Sequence, residues 1–229
     1  KQGKIQIELL NTMDIPYEII SKDSQDFKSK ISKCIDTAKG GNRPTALLIK
    51  KGTFDKYGKT VSAEEDQSMK REEALEIILD NLDDNTIVVS TTGKTSREIF
   101  EIREKNNQSH EQDFLTVGSM GHCSSIALGI ALAKPHRQVV CIDGDGAMLM
   151  HLGSLTSIAD MKPKNFRHIL MNNKIHESVG GQSTAAKYID LSKVVNSLET
   201  SKMFFAESPS ELKQKIGEFL SNSELTFLE

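Results

Sequence analysis

The residues best suited to chemistry stand at 144–147 and 172–173. Gly144-Asp145-Gly146-Ala147 follows an apolar run at 138–142, and Asn172-Asn173 follows a second apolar run at 168–171. A strand that turns at once into a helix leaves backbone N–H groups unpaired and presents a positive dipole end, and the two together suit a diphosphate. Asp145 places a hard carboxylate oxygen in that turn, and the amide oxygens of Asn172 and Asn173 suit the same ion. Mg2+ prefers such oxygens and keeps positions open for phosphate groups. Alone, a Gly-Asp-Gly or an Asn-Asn is a common turn. Their pairing, each directly after an apolar strand, points to a joint cation and diphosphate site.

Two further segments carry polar chemistry. Ser90-Thr91-Thr92-Gly93-Lys94-Thr95 puts hydroxyls and free N–H groups between a strand and a helix, which suits a phosphate or carboxylate. Gly-Lys-Thr also ends a nucleotide P-loop, but the upstream glycine that such a loop requires is missing here, which argues against one. Thr95 or Ser96 as a plain helix cap is the ordinary alternative. His176-Glu177-Ser178-Val179-Gly180-Gly181-Gln182 has the glycine content of a mobile loop. His122 and His176 are candidates to hold an anionic substrate or shuttle protons, beside the structural role usual for a histidine. His110, His136, His151 and His168 receive no functional role.

These segments need a scaffold. Apolar periodicity predicts helices over 71–82, 96–105, 122–133, 147–161, 191–198 and 209–220. Strands are expected over 86–90, 138–142, 167–171 and 203–206, with another beginning near 225. This alternation predicts an α/β fold: a doubly wound parallel sheet with helices on both faces. Ligands of such sheets sit beyond the carboxyl ends of the strands, where the three polar turns fall. Residues 1–50 read as a separate α/β piece, with helices over 5–13 and 26–39, an extended stretch over 16–20 and a strand over 44–49. Residues 51–70 are polar and read as a linker, and 71–229 as the main domain.

Composition narrows the function classes. A net charge of −3 with scattered Lys and Arg gives no nucleic-acid or membrane-surface footprint. The longest apolar stretch, 124–133, is too short to span a bilayer, and no signal peptide is read. Cys34, Cys123 and Cys141 lack metal-finger spacing, and reduced thiols of a cytoplasmic protein are expected. The chain opens in polar sequence without Met and closes on the strand-like 225–229, so a C-terminal fragment truncated in its last strand is expected.

The chain resembles the phosphonopyruvate decarboxylases, a family of thiamine diphosphate (ThDP) enzymes. The resemblance rests on 1–5 (Lys-Gln-Gly-Lys-Ile), 90–97, 117–125 (Val-Gly-Ser-Met-Gly-His-Cys-Ser-Ser), 139–151 and 172–182. It implies ThDP and Mg2+ as cofactors and conversion of 3-phosphonopyruvate to phosphonoacetaldehyde and CO2. By this resemblance the Gly118 carbonyl accepts from the cofactor's amino group, with Ser119 in the same segment. Met120 is the apolar wedge that keeps the cofactor bent, and with His122 and His176 it forms the expected catalytic set. Thr91, Thr92, Gly93, Gly144, Asp145, Gly146, Ala147 and Asn173 are expected to bind the cofactor. Asp145 and Asn173 side chains and the Ile175 carbonyl are the expected Mg2+ ligands. Ile175 stands where the family has a small residue, a change that a backbone ligand tolerates. Lys94 and Arg97 are the expected substrate cations for a small-molecule 2-oxo acid.

The resemblance also makes 1–50 the tail of a pyrimidine-binding domain. The glutamate that activates the cofactor then comes from that domain of another subunit in a homo-oligomer, and this fragment is expected to be inactive alone. Sulfopyruvate decarboxylases and other ThDP enzymes share the cofactor site, and a non-catalytic assembly or regulatory domain would keep the same fold.

Overall fold

The structure is a computed structural model that describes residues 2–55, 69–198 and 201–229. It forms two compact units, residues 1–65 and 66–229. Most of the stretch read as a linker, 56–68, lies outside the described residues.

The first unit contains α1 (Gln2–Thr12), β1 (Tyr17–Ile20), α2 (Phe27–Gly41) and β2 (Ala46–Ile49), with the two strands parallel. Its apolar residues stay largely outside: Ile5, Leu9, Met13 and Ile35 are exposed, and Ile20 is the unit's buried residue among those described. Two parallel strands and one packed helix do not close a core.

The second unit is the predicted doubly wound sheet. In chain order it holds α3 (Arg71–Asp80), β3 (Ile87–Ser90), α4 (Lys94–Lys105), β4 (Asp113–Leu115), α5 (Cys123–Ala133), β5 (Val139–Gly144) and α6 (Asp145–Met150). It continues with α7 (Ser154–Met161), β6 (Phe166–Met171), β7 (Ile175–His176), β8 (Gln182–Ser183), α8 (Leu191–Asn196), β9 (Ser201–Phe204), α9 (Pro209–Ser221) and β10 (Leu225–Leu228). Six strands pair in parallel in the order β4-β3-β5-β6-β10-β9. Strand alternation divides the core. Val139 and Cys141 of β5 join Phe166, Phe227 and residues of α5, α7 and α8 on one face. Val140 and Ile142 join Ile169, Leu228 and residues of α3, α4 and α9 on the other. The β5 side chains are buried from Val139 through Asp143, as expected for a central parallel strand.

Three expectations need correction. The helix predicted over 147–161 starts earlier, at Asp145, and is broken into α6 and α7 at 151–153. Gly153 lies at the break, and the bend lets α7 pack on α5. The strand expected over 203–206 lies two residues earlier, at Ser201–Phe204, where its register against β10 pairs Phe204 with Leu228. The edge strand β4 and the hairpin β7–β8 were not foreseen, because two or three residues show no periodicity. The unit's last helix follows rule: Ser208 caps it by accepting from the Glu211 N–H at 3.3 Å, and Pro209 occupies its first position.

Candidate functional site

The carboxyl ends of β3, β5 and β6 lie side by side, with Ser90 opposite Ile142 and Gly144 opposite Met171. The turns carrying Thr91, Asp145 and Asn172 therefore emerge at one edge of the sheet. The β3 turn is built by hydroxyls. Ser96 Oγ donates to the Thr91 carbonyl at 2.7 Å and lies 2.7 Å from Ser90 Oγ. Thr116 Oγ1 donates to the Ser90 carbonyl at 2.7 Å. The cap of α4 is Gly93, not Thr95 or Ser96, and it offers no side-chain acceptor to the first turn's N–H groups. Those donors remain available to an anion.

The segment 116–122 crosses above this turn. The Gly118 N–H donates to Thr92 Oγ1 at 3.0 Å. Ser119 adopts a left-handed φ of 50°, a backbone state costly for a residue with a Cβ. Met120 is half-buried, and Val117 is 97% exposed. Gly121, at φ 87°, could not be replaced without a clash: a Cβ there would lie 2.5 Å from His151 Nδ1 and 2.8 Å from the Ala147 carbonyl. The rings of His122 and His151 are 4.0 Å apart between centroids. His151, given no role from sequence, thus packs the Gly118–His122 segment onto α6.

Gly144 caps α6 in extended conformation, and Asp145 follows as its first residue, 3% exposed. Its carboxylate accepts from Thr184 Oγ1, a partner that sequence reasoning missed. The hairpin β7–β8 folds over this turn. A Cβ on Gly146 would stand 2.6 Å from His176 Cε1 and 3.2 Å from Thr184 Cγ2, so a larger residue would push the His176 ring aside. The two asparagines part company. Asn172 Nδ2 donates to Glu229 at 2.6 Å, whereas Asn173 Oδ1 turns back to accept the Ile175 N–H at 3.2 Å, with Lys174 left-handed at φ 59°. Asn173 and Ile175 are exposed. Asp145, Asn173 and the nearby backbone carbonyls offer only hard oxygens, and Gly144 gives the first turn of α6 no side-chain cap. This donor chemistry fits Mg2+ with a diphosphate.

The two cations foreseen for the substrate take different places. Arg97 is exposed and lines an open cleft of about 330 Å3 with Phe100, Thr116 and Val117. Lys94 Nζ donates to Glu177 Oε1 at 2.5 Å, and Arg71 Nη1 donates to Glu177 Oε2 at 2.5 Å. Arg71 is itself clamped by Glu98, whose two oxygens accept from Nε and Nη2 at 2.6 Å each. The Lys94 bond, with Arg71 second, holds the Glu177 carboxyl below the usual carboxylate range. Neither Arg71 nor Glu177 was a sequence-level candidate; a lone charge beside a helix start or in a glycine loop ordinarily reads as solvated surface.

Behind the β5 turn lies a buried polar cluster. Asp143 Oδ1 accepts the Gly144 N–H at 2.8 Å, and its Oδ2 lies 3.6 Å from His168 Nε2, both residues fully buried. Cys123 and Cys141, read separately from sequence, are neighbours with Sγ atoms 3.8 Å apart, and both are free thiols. Burial pushes the Cys141 thiol well above its ordinary pKa. Among the described residues no helix is long and apolar enough to cross a membrane.

Comparison with known proteins agrees with this geometry. The family described as thiamine pyrophosphate enzyme, C-terminal TPP binding domain, matches residues 91–229. Phosphonopyruvate decarboxylase from Streptomyces hygroscopicus is 31% identical over 207 residues, covering 84% of this chain and 50% of that protein. Sulfopyruvate decarboxylase subunit beta from Methanothermobacter thermautotrophicus is 39% identical over 139 residues, covering 61% of this chain and 71% of that protein. The chain thus spans about half the length of the phosphonopyruvate decarboxylase it matches. A Mycobacterium smegmatis protein described as a thiamin diphosphate-dependent enzyme superposes with a TM-score of 0.57 at 20% identity, over 71% of this chain and 32% of that one. At that identity the likeness speaks for the fold alone. Together, the family match over the site-bearing turns and the parallel sheet that carries them show that the chain belongs to the thiamine pyrophosphate enzyme family, whose C-terminal TPP binding domain it contains.

Proposed function

We propose that the chain is the cofactor- and substrate-binding half of a decarboxylase that converts 3-phosphonopyruvate to phosphonoacetaldehyde and CO2. The observation that carries this reading is a meeting at one sheet edge: the oxygen-donor turns of Asp145 and Asn173 lie with a cation, Lys94, that already holds a carboxylate. A 2-oxo acid with a second anion needs both features. When bound, ThDP supplies the electron sink that lets the bond to the carboxylate break.

This chain's residues position the parts. Asp145 and Asn173 hold Mg2+ through side-chain oxygens and Ile175 through its carbonyl. The N–H groups of Gly146 and Ala147 take the diphosphate, Gly144 shapes that turn with its own N–H held by Asp143, and Thr91, Thr92 and Gly93 line the neighbouring turn. The Gly118 carbonyl orients the pyrimidine amino group, Ser119 shapes that bend, and Met120 props the rings from below. His122 and His176, on two loops facing this edge, hold the substrate carboxylate or pass the proton that completes the aldehyde. Lys94 receives the phosphonate, and Arg97 draws anions toward the adjoining cleft.

The first unit belongs to a pyrimidine-binding domain, and a neighbouring subunit's copy of that domain completes the site. The identity of 39% to a sulfopyruvate decarboxylase subunit favours a second reading, with 3-sulfopyruvate as substrate. The test is CO2 release by the complete protein, loaded with Mg2+ and ThDP, from 3-phosphonopyruvate, 3-sulfopyruvate and pyruvate. The highest kcat/KM on phosphonopyruvate is expected. A preference for sulfopyruvate establishes the second reading, and no release from any of them indicates a non-catalytic assembly domain.

A further inference from the structure

The salt-bridge cluster at the start of α3 and α4 is built like an occupied binding site. Glu98 takes two of the Arg71 donors, Nε and Nη2, and so fixes the guanidinium plane. Arg71 Nη1 and Lys94 Nζ then converge on the two oxygens of a single carboxylate, that of Glu177. The distance between donors is therefore preset to one oxyanion edge, a dimension that carboxylates, phosphonates and sulfonates share. A planar, clamped guanidinium beside a mobile ammonium suits such an anion, because it loses little freedom on binding.

The occupant is less firmly held than its site. The Arg71 and Glu98 side chains are 18% and 19% exposed, whereas those of Lys94 and Glu177 are 42% and 36% exposed. Glu177 also rides on the loop between β7 and β8, which continues through Val179 (75% exposed) to Gly180 and Gly181, both at positive φ. The next residue, Ser178, stands over Gly93: a Cβ there would lie 3.5 Å from Ser178 Oγ. On its other side His176 stands over Gly146. The carboxylate thus sits at the tip of a flap that reaches from the β5 turn to the β3 turn. Ion pairs this exposed are worth little each, so an incoming anion can compete with them.

We propose that Arg71 and Lys94 form an oxyanion subsite and that Glu177 is its resident occupant, displaced by the phosphonate or sulfonate end of the substrate. The assignment rests on the proposed decarboxylase reading for the identity of that anion. In this arrangement Glu177 sets specificity: a neutral-tailed 2-oxo acid such as pyruvate gives nothing in exchange for the broken ion pairs and leaves the flap in place.

Binding of small probes separates this from the catalytic reading, because it requires no turnover. Methylphosphonate and methanesulfonate are titrated calorimetrically into the complete protein loaded with Mg2+ and ThDP. Glu177→Gln removes the competing charge and should tighten at least one probe about fivefold, the effect of losing weak exposed ion pairs. Unchanged or weaker binding means that Glu177 positions Lys94 instead of competing for it, and overturns the proposal. Lys94→Met in the Glu177→Gln background should lose about tenfold in affinity; retention within twofold overturns it equally. Lys94 is the better variant because it is the more exposed partner, while Arg71 also anchors Glu98. The tighter of the two probes identifies the anion, phosphonate or sulfonate. Absence of decarboxylation alongside a Glu177-dependent probe site would defeat the catalytic reading and leave the anion site standing.

Discussion

Asp145 concentrates the chemistry at the scale of a single residue. It is buried, it begins a helix, and it accepts from the neutral hydroxyl of Thr184. A buried carboxylate needs hydrogen bonds and a counter-charge; Thr184 supplies the first and a divalent cation would supply the second. In the complete protein, Asp145→Ala should therefore abolish the dependence of ThDP affinity on Mg2+. Fluorescence titration of ThDP with and without Mg2+ reads this directly, and an undiminished Mg2+ effect would remove Asp145 from the metal site. Asn173 and Asn172 show that adjacent identical residues take separate work. One bends a turn toward the site and the other binds Glu229 of the neighbouring strand end.

Among elements, the site depends on how three turns are locked together. The Gly118–His122 segment is fastened on one side by the Gly118 N–H to Thr92 and on the other by Gly121 against α6. Gly121 has a positive φ of 87° and no room for a Cβ beside the Ala147 carbonyl. Gly121→Ala combines backbone strain with overpacking, and about 2–4 kcal/mol of destabilisation is expected. Urea unfolding measures it, and a loss under 1 kcal/mol, on the order of an ordinary surface change, would show that the contact yields easily. Because Ala147 lies in the proposed diphosphate turn, the same variant should also weaken ThDP binding.

Over the whole molecule, one buried arginine fastens the sheet to its last helix. Arg167, on β6, is 3% exposed and donates to the carbonyls of Lys164 at 3.0 Å, Phe166 at 2.8 Å and Leu220 at 3.1 Å, and also to Asn222. Burial lowers its pKa, yet it meets carbonyl oxygens alone, so its charge is solvated by the ends of α9 and the loop into β10. Arg167→Ala would leave several carbonyls without donors, each worth about 1–3 kcal/mol when buried. A loss of at least about 3 kcal/mol in urea unfolding is expected on that basis. A near-neutral result would mean that water replaces the guanidinium at those carbonyls. The first unit contrasts with this: Ile5, Leu9 and Met13 are exposed, and no comparable buried anchor holds its described residues.

The sequence by itself determined the strand–helix alternation, the polar turns at strand ends and the family, because each is written in runs of a few neighbouring residues. Val139–Gly144 ends in Asp145 whatever the rest of the chain does, since the apolar run and the turn residues are contiguous. Only the tertiary structure decided which distant groups meet. Lys94 and Glu177 are 83 positions apart, and Asp145 and Thr184 are 39 apart. No local pattern links them; the strand order and the fold of the β7–β8 hairpin do. The break between α6 and α7 was also a tertiary decision. Apolar spacing over 147–161 continues through it, and packing on two different neighbours, with Gly153 available at the bend, outweighs the local preference for one helix.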